Sequence, residues 1–335
     1  MITNADVQAA ASRIAGRIRV TPVTEADAGT FPPAARVWLK LEQLQHTGSF
    51  KARGAFNRVL SAAEQNAIPA AGVVAASGGN AGLAVAYAAA QQGLPARVHV
   101  PAAAPAVKVA RLHAYGAEVV QAGSSYAEAA DMAAKYAAET GALLCHAYNQ
   151  PEVCAGQGTL ALELLEQVGG QVDTVLVAVG GGGLMAGVAT ATEGRARVVG
   201  VEPASIPTLH AAMIAEGPVD VSVSGIAADS LGATRLGDIA YAVAIRTGVR
   251  SVLVDDADII AARQYLWDGY RLATEHGGAT ALAALLTGAY QPEPGERIAI
   301  VLCGANTDAA TLAGPGSLRL AVVGRLRTGN TGWAD

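Results

Sequence analysis

The chain has 335 residues, 52% hydrophobic and 15% charged, which predicts two domains with large cores and an oligomer interface. Twenty-three basic residues against 28 acidic ones leave a net charge of -5, arguing against nucleic acid or an anionic membrane as partner. Cys145, Cys154 and Cys303 form no CxxC pair, which implies a reducing compartment and no zinc site.

The N-terminal residues Met1-Ile2-Thr3-Asn4 show no basic-then-apolar pattern, so no signal peptide is expected. Uncharged stretches at 66–96 and 174–192 are long enough to span a bilayer. The first is broken by Pro69, Gly72 and Ser77 through Asn80, and the second holds four consecutive glycines. Neither content suits a membrane span. The expectation is a soluble, cytoplasmic protein.

In chain order, residues 37–41 read as the first strand. Then comes Thr47-Gly48-Ser49-Phe50-Lys51-Ala52-Arg53-Gly54-Ala55, a lone lysine beside an aromatic residue in a glycine-bracketed turn. A lysine in neutral surroundings can lose its proton and form a Schiff base with an aldehyde such as pyridoxal phosphate. The same residues also suit a helix start, with Ser49 as cap and Lys51 solvated.

A helix near 53–62 leads to a strand at 72–76 and to Ser77-Gly78-Gly79-Asn80-Ala81-Gly82. Glycines here free N–H groups for an anion at the start of the next helix, near 80–92. An ordinary strand-to-helix turn capped by Asn80 fits equally well. Strands at 96–100 and 117–120 follow, with helices near 105–115, 124–140 and 152–168.

The strand at 174–179 runs into Gly180-Gly181-Gly182-Gly183-Leu184. Four permissive residues allow the main chain to close on a phosphate. Gly181, Gly183 and Ala186 also fit the dinucleotide pattern G-x-G-x-x-A, and Glu202 ends the next strand (197–201) where a ribose-binding acid would sit. Helices near 183–193, 205–216, 256–274 and 277–288 precede the last strand, 298–302. That strand ends in Cys303-Gly304-Ala305-Asn306, which either faces a ligand or holds a buried, inert thiol.

Alternating strands and helices define an α/β protein with parallel sheets covered on both faces. Tight spacing from about 70 to 145 marks a compact four-stranded unit. The expected division is a small domain at 46–149, a large one from 1–45 plus 150–314, and an appendage at 315–335.

Taken together and in this order, the four motifs resemble the pyridoxal-phosphate enzymes of the tryptophan synthase β-like fold (fold type II), specifically the serine/threonine dehydratases. The similarity runs from about Thr21 to Thr311. It implies two doubly wound parallel-sheet domains with the cofactor between them. It further implies that Lys51 carries the Schiff base, Phe50 packs on the ring, and Asn80 bonds the ring hydroxyl. Ser77, Gly78, Asn80 and Ala81 would hold the substrate carboxylate, and Gly180, Gly181, Gly182, Gly183 and Leu184 the phosphate. Cys303 would face the pyridine nitrogen, as in animal-type L-serine dehydratases. A largely protonated thiol there makes the ring a moderated electron sink, which suits β-elimination better than transamination.

The resemblance implies α,β-elimination of L-serine and/or L-threonine to a 2-keto acid and ammonia, by a homodimer. Racemases of the family place a second serine where this chain has Gly78, which argues against racemization. Val201-Glu202-Pro203 resembles a metal-binding segment of relatives. Glu202 with Ile206 and Thr208 offers one carboxylate and neutral oxygens, so a monovalent cation such as K⁺ is expected over Mg²⁺. Glu275 stands either as an acid supporting the site or as a helix-terminal acid. Alternatives are another β-eliminase or β-replacement enzyme (a 3-hydroxyaspartate dehydratase or an O-acetylserine sulfhydrylase-like protein), an NAD-dependent dehydrogenase, and a homologue that only binds ligand.

Overall fold

The computed structural model describes residues 1–312; the appendage expected at 315–335 lies outside them. The chain opens with α1 (Asn4–Ile14), where Thr3 and Asp6 form a reciprocal capping box. Strands β1 (Val23–Glu25) and β2 (Arg36–Lys40) pair antiparallel. Next come α2 (Lys51–Glu64), β3 (Val73–Ala76), α3 (Asn80–Gln91), β4 (Ala96–Val100) and α4 (Ala106–Ala114). They are followed by β5 (Glu118–Gln121), α5 (Tyr126–Thr140), β6 (Leu143–Leu144), α6 (Pro151–Gln167) and β7 (Thr174–Ala178). The chain continues through α7 (Gly183–Thr192), β8 (Arg197–Pro203), α8 (Thr208–Ile214), α9 (Ala228–Leu231) and α10 (Asp238–Thr247). It closes with β9 (Arg250–Val254), α11 (Asp256–Tyr270), α12 (His276–Leu286) and β10 (Arg297–Val301).

Two sheets result. The smaller has the order β5-β4-β3-β6 and is parallel throughout. The larger has the order β1-β2-β10-β7-β8-β9 and is parallel apart from β1. Helices α7 and α12 both lie against β7 and β8, while α3 and α5 both lie against β3 and β4. Every residue of β7 is accordingly buried, as a parallel strand covered on two faces must be. This is the α/β architecture expected of fold type II.

Six elements were not anticipated: α1, β1, β6, α9, α10 and β9. β1 and β6 are only three and two residues long, too short for a periodic signal. The helix expected at 205–216 contracts to α8 because Pro207 precedes its first turn. The helix expected to run to 274 stops at Tyr270, where Arg271 turns left-handed with φ 55°. Among the described residues no helix is long and apolar enough to cross a membrane.

Two features seat α2, the helix that begins at Lys51. Gly54 and Gly156 let α2 and α6 touch backbone to backbone: a Cβ on Gly156 would lie 2.7 Å from the Arg53 carbonyl. Beside this contact Arg53, fully buried, grips Glu42 through two bonds of 2.8 and 2.6 Å and reaches Glu163 at 2.9 Å. Lys40 completes the cluster on Glu163 and the Thr21 carbonyl. Burial alone would raise Glu42, but the Arg53 charge and hydrogen bonds hold its carboxyl below the ordinary range.

Candidate active site

Lys51 is the first residue of α2, and that helix has no side-chain cap. Ser49 is extended, and its buried hydroxyl has no hydrogen-bond partner, so its expected role as a cap is not realized. It instead forms a β-bridge with Gly304, and the Phe50 amide donates to the Cys303 carbonyl at 3.0 Å. The lysine motif is thus stitched to the end of β10. The Lys51 Nζ donates to the Ala147 carbonyl at 2.7 Å and lies 5.0 Å from the Phe50 ring centroid. Burial lowers its pKa to about 8, against the opposing pull of the Glu275 carboxylate.

Lys51 opens into a cavity of about 420 Å³. Phe50, Ser77 through Ala81, Gly180 through Leu184, Glu275 and Cys303 line it as well. Three of these segments, 77–81, 180–184 and Cys303, follow β3, β7 and β10, so the cavity sits outside the carboxyl ends of parallel strands. All four motifs are therefore brought to one place.

The glycine loop is shaped by its neighbours as much as by any ligand. A Cβ on Gly181 would stand 2.3 Å from the Tyr148 ring, and one on Gly180 would stand 2.8 Å from the Leu231 carbonyl. Gly182 is left-handed, with φ 83°. The Tyr148 ring is held edge-on to His146 at 4.7 Å, and nothing in its local sequence marks it as part of the site. α7 begins at Gly183 without a side-chain cap, so its first-turn N–H groups are free for an anion. An uncapped helix start, a glycine cradle and a lysine of lowered pKa in one cavity fit pyridoxal phosphate.

Around Asn80 the side chains form a relay. Arg111 of α4 donates to the Asn306 carbonyl oxygen, and Asn306 donates to the Asn80 carbonyl oxygen at 2.6 Å. Asn80 in turn donates to the Glu275 carboxylate at 2.6 Å. Burial raises Glu275 to about 7, restrained by that hydrogen bond. Glu275 is both the N-cap residue of α12 and a wall of the cavity, so its two expected places coincide. Ser77 accepts from the Gly79 amide at 3.2 Å. The Cys303 thiol donates to the Gly277 carbonyl at 3.5 Å, and burial first, then Glu275, pushes its pKa upward. It is a neutral group. At the rim, Lys108 and Asp229 form an ion pair joining α4 to α9.

Glu202 is enclosed elsewhere. Its carboxylate accepts from the Leu209 and His210 amides at 2.6 and 2.9 Å and from the hydroxyls of Thr208 and Ser251 at 3.2 and 3.0 Å. Burial still raises it to about 7. The single Thr208 hydroxyl proton is shared between Glu202 and the Gly180 carbonyl, so this pair buttresses the glycine loop. With its oxygens occupied and no exposed surface, Glu202 cannot meet a ribose hydroxyl, and the dinucleotide reading falls. Ile206 is buried, its amide bonded to the Pro203 carbonyl. No cluster of three or more His, Cys, Asp or Glu residues suited to a metal occurs among the described residues.

Residues 14–304 match the family described as pyridoxal-phosphate dependent enzyme. The chain is 40% identical over 305 residues to a phenylserine dehydratase from Ralstonia pickettii, covering 90% of this chain and 92% of that one. The structure of maize serine racemase superposes with a TM-score of 0.86 at 32% identity, covering 93% and 95%. That of a T.th. threonine deaminase gives 0.82 at 35% identity, covering 91% and 99%. With its two parallel sheets, its lysine and its glycine cradle, the chain belongs to the pyridoxal-phosphate dependent enzymes of fold type II, in the serine/threonine dehydratase-type group.

Proposed function

We propose that the chain removes water from β-hydroxy-α-amino acids, L-serine and L-threonine foremost, releasing a 2-keto acid and ammonia. The observation that carries this reading is the convergence, on one cavity, of a basic lysine, an uncapped glycine-loop helix and a neutral thiol. When bound, the cofactor supplies the sink for the electron pair left at Cα. Gly180 through Leu184 would hold its phosphate, Lys51 its aldehyde carbon and Phe50 its ring face, and Cys303 would be the neutral group offered to its ring nitrogen. Ser77, Gly78, Asn80 and Ala81 bind the substrate carboxylate.

In this reading Lys51 takes the Cα proton. With a pKa of about 8, roughly a tenth of the amine is unprotonated at neutral pH, enough for a general base. Gly78 has no proton to offer the opposite face, so elimination is favoured over racemization. A neutral Cys303 cannot stabilize a charged ring nitrogen, which favours prompt loss of the β-substituent. We further take 46–149 as the small domain and a homodimer as the working assembly.

A second reading concerns the β-substituent. The phenylserine dehydratase relative and an apolar arc of Pro101, Ala103, Ala104, Pro105 and Tyr126 along the cavity favour an aryl group there. A second carboxylate, as in 3-hydroxyaspartate, is disfavoured because Lys108 at the rim is already paired with Asp229.

Keto-acid release from the holoenzyme, measured across L-serine, L-threonine, 3-phenylserine, 3-hydroxyaspartate and D-serine, tests both readings. Release from serine or threonine, lost together with the yellow chromophore in Lys51→Ala, is expected. A colourless protein that takes up no pyridoxal phosphate overturns the proposal. A kcat/KM highest for 3-phenylserine selects the aryl reading.

A further inference from the structure

Adjoining the main cavity, and sharing Lys51, Ala81 and Ala147 with it, lies a second, much smaller one. Lys51, Cys145, His146, Ala147, Val153 and Gln157 line it, and its volume is about 10 Å³. That is near the lower limit for one water molecule and far below any organic ligand. Gln157, on α6, is 1% exposed, and neither atom of its amide has a hydrogen-bond partner. A buried amide left wholly unpaired is rare, because each of its polar atoms loses its hydration on folding. Gln157 brings both a donor and an acceptor to this cavity.

The opposite polar wall is equally defined. His146 Nδ1 accepts the amides of Tyr148 and Asn149 at 3.2 and 2.9 Å. The proton of the neutral ring is therefore on Nε2, which makes that atom a donor. The Lys51 Nζ has one protein acceptor, the Ala147 carbonyl, and an ammonium carries three hydrogens. Ala55, Val85 and Val153 make the remaining wall apolar, so hydrogen bonds formed here are little screened.

We propose that this cavity is a one-water site, and that Gln157, acting through the water, is a positioning residue for the Lys51 amine. The water donates to Gln157 Oε1 and accepts from the Lys51 ammonium, giving Lys51 a second acceptor beside Ala147. It steadies the protonated amine after Lys51 has taken a proton, and it holds Nζ on the side facing the main cavity. This inference rests on Lys51 being the reactive amine, and it adds that Lys51 basicity is set in part by a residue of α6.

The test uses the full chain. A crystal structure of the holoenzyme is expected to show one density peak within hydrogen-bond distance of the Gln157 amide. In full-length chain stripped of cofactor, the pH dependence of Lys51 modification by a small aldehyde reports its pKa. Gln157→Met fills the same space without an acceptor, and should lower the midpoint by about one pH unit, so that the reactive fraction at neutral pH rises about fivefold. Gln157→Glu adds an anion and should move the midpoint upward. A dry cavity, or midpoints unchanged in both variants, overturns the proposal. If Gln157→Met does not fold, the wild-type density and Gln157→Glu still decide. Failure of the functional reading is separable: an enzyme that releases no keto acid, but whose Lys51 midpoint follows residue 157, loses the function and keeps the site.

Discussion

At the scale of single residues, Lys51 was legible as a candidate because its neighbours Gly48, Phe50 and Gly54 are neutral. Its basicity was not, since the segments that bury it and the Glu275 carboxylate that opposes burial come from far away in sequence. With its pKa lowered to about 8, chiefly by burial, the amine becomes a competent base as pH rises through that value. The kcat/KM profile for L-serine should therefore climb to a plateau above about 8. Glu275 opposes the burial effect on Lys51. Glu275→Gln keeps an oxygen for the Asn80 amide but removes the charge, so the rising limb should move to lower pH. A limb that stays in place in Glu275→Gln would mean that Lys51 does not govern it. Asn306 and Arg111 illustrate the limit of a local reading. Asn306 stood in the fourth motif without a role, and its tie to Asn80 spans 226 positions of sequence.

At the scale of elements, the start of α7 carries the sharpest prediction. Its glycines read as phosphate-binding, and the loop does line the cavity. What the local sequence could not reveal is that Gly181 is also required by Tyr148, whose ring would sit 2.3 Å from a Cβ at that position. Gly181→Ala should therefore push the loop or the ring aside, costing about 1–3 kcal/mol of stability and weakening cofactor uptake. Trimming the obstacle should relieve it: Gly181→Ala combined with Tyr148→Ala should hold cofactor better than Gly181→Ala alone. Cofactor titration followed by absorbance, alongside thermal melts, checks both effects. No improvement in the double variant would locate the need for Gly181 in the phosphate rather than in the tyrosine. Helix α10 shows the same limit of legibility, since its cover over the loop, with Ala240 against Gly182, is a tertiary relation without a motif.

At the scale of the molecule, the two-sheet α/β plan was legible because buried parallel strands are apolar along their length, as in β7 and β10. Edge and short strands were not: β9 is only half-buried over most of its length, and β6 has two residues. Also hidden was the ionic cluster that ties β2, α2 and α6 together, since Glu42, Arg53 and Glu163 carry no spacing signal. Arg53→Ala should cost about 3–5 kcal/mol of unfolding free energy, because Glu42 is left charged and fully buried. The sign of the pH dependence separates this from simple loss of packing. In the native chain Glu42 is held below its ordinary value, so its contribution to stability is present above the unfolded carboxylate pKa and is lost on acidification. Without Arg53, burial dominates and raises Glu42 above its unfolded value. The variant's deficit should then be greatest at neutral pH and shrink as the solution is acidified through the carboxylate range. Urea denaturation of both proteins across that range checks this. A deficit that is constant with pH would assign the loss to the missing guanidinium's packing alone, whereas a narrowing one makes the buried charge at Glu42 the reason Arg53 lies two residues from Lys51.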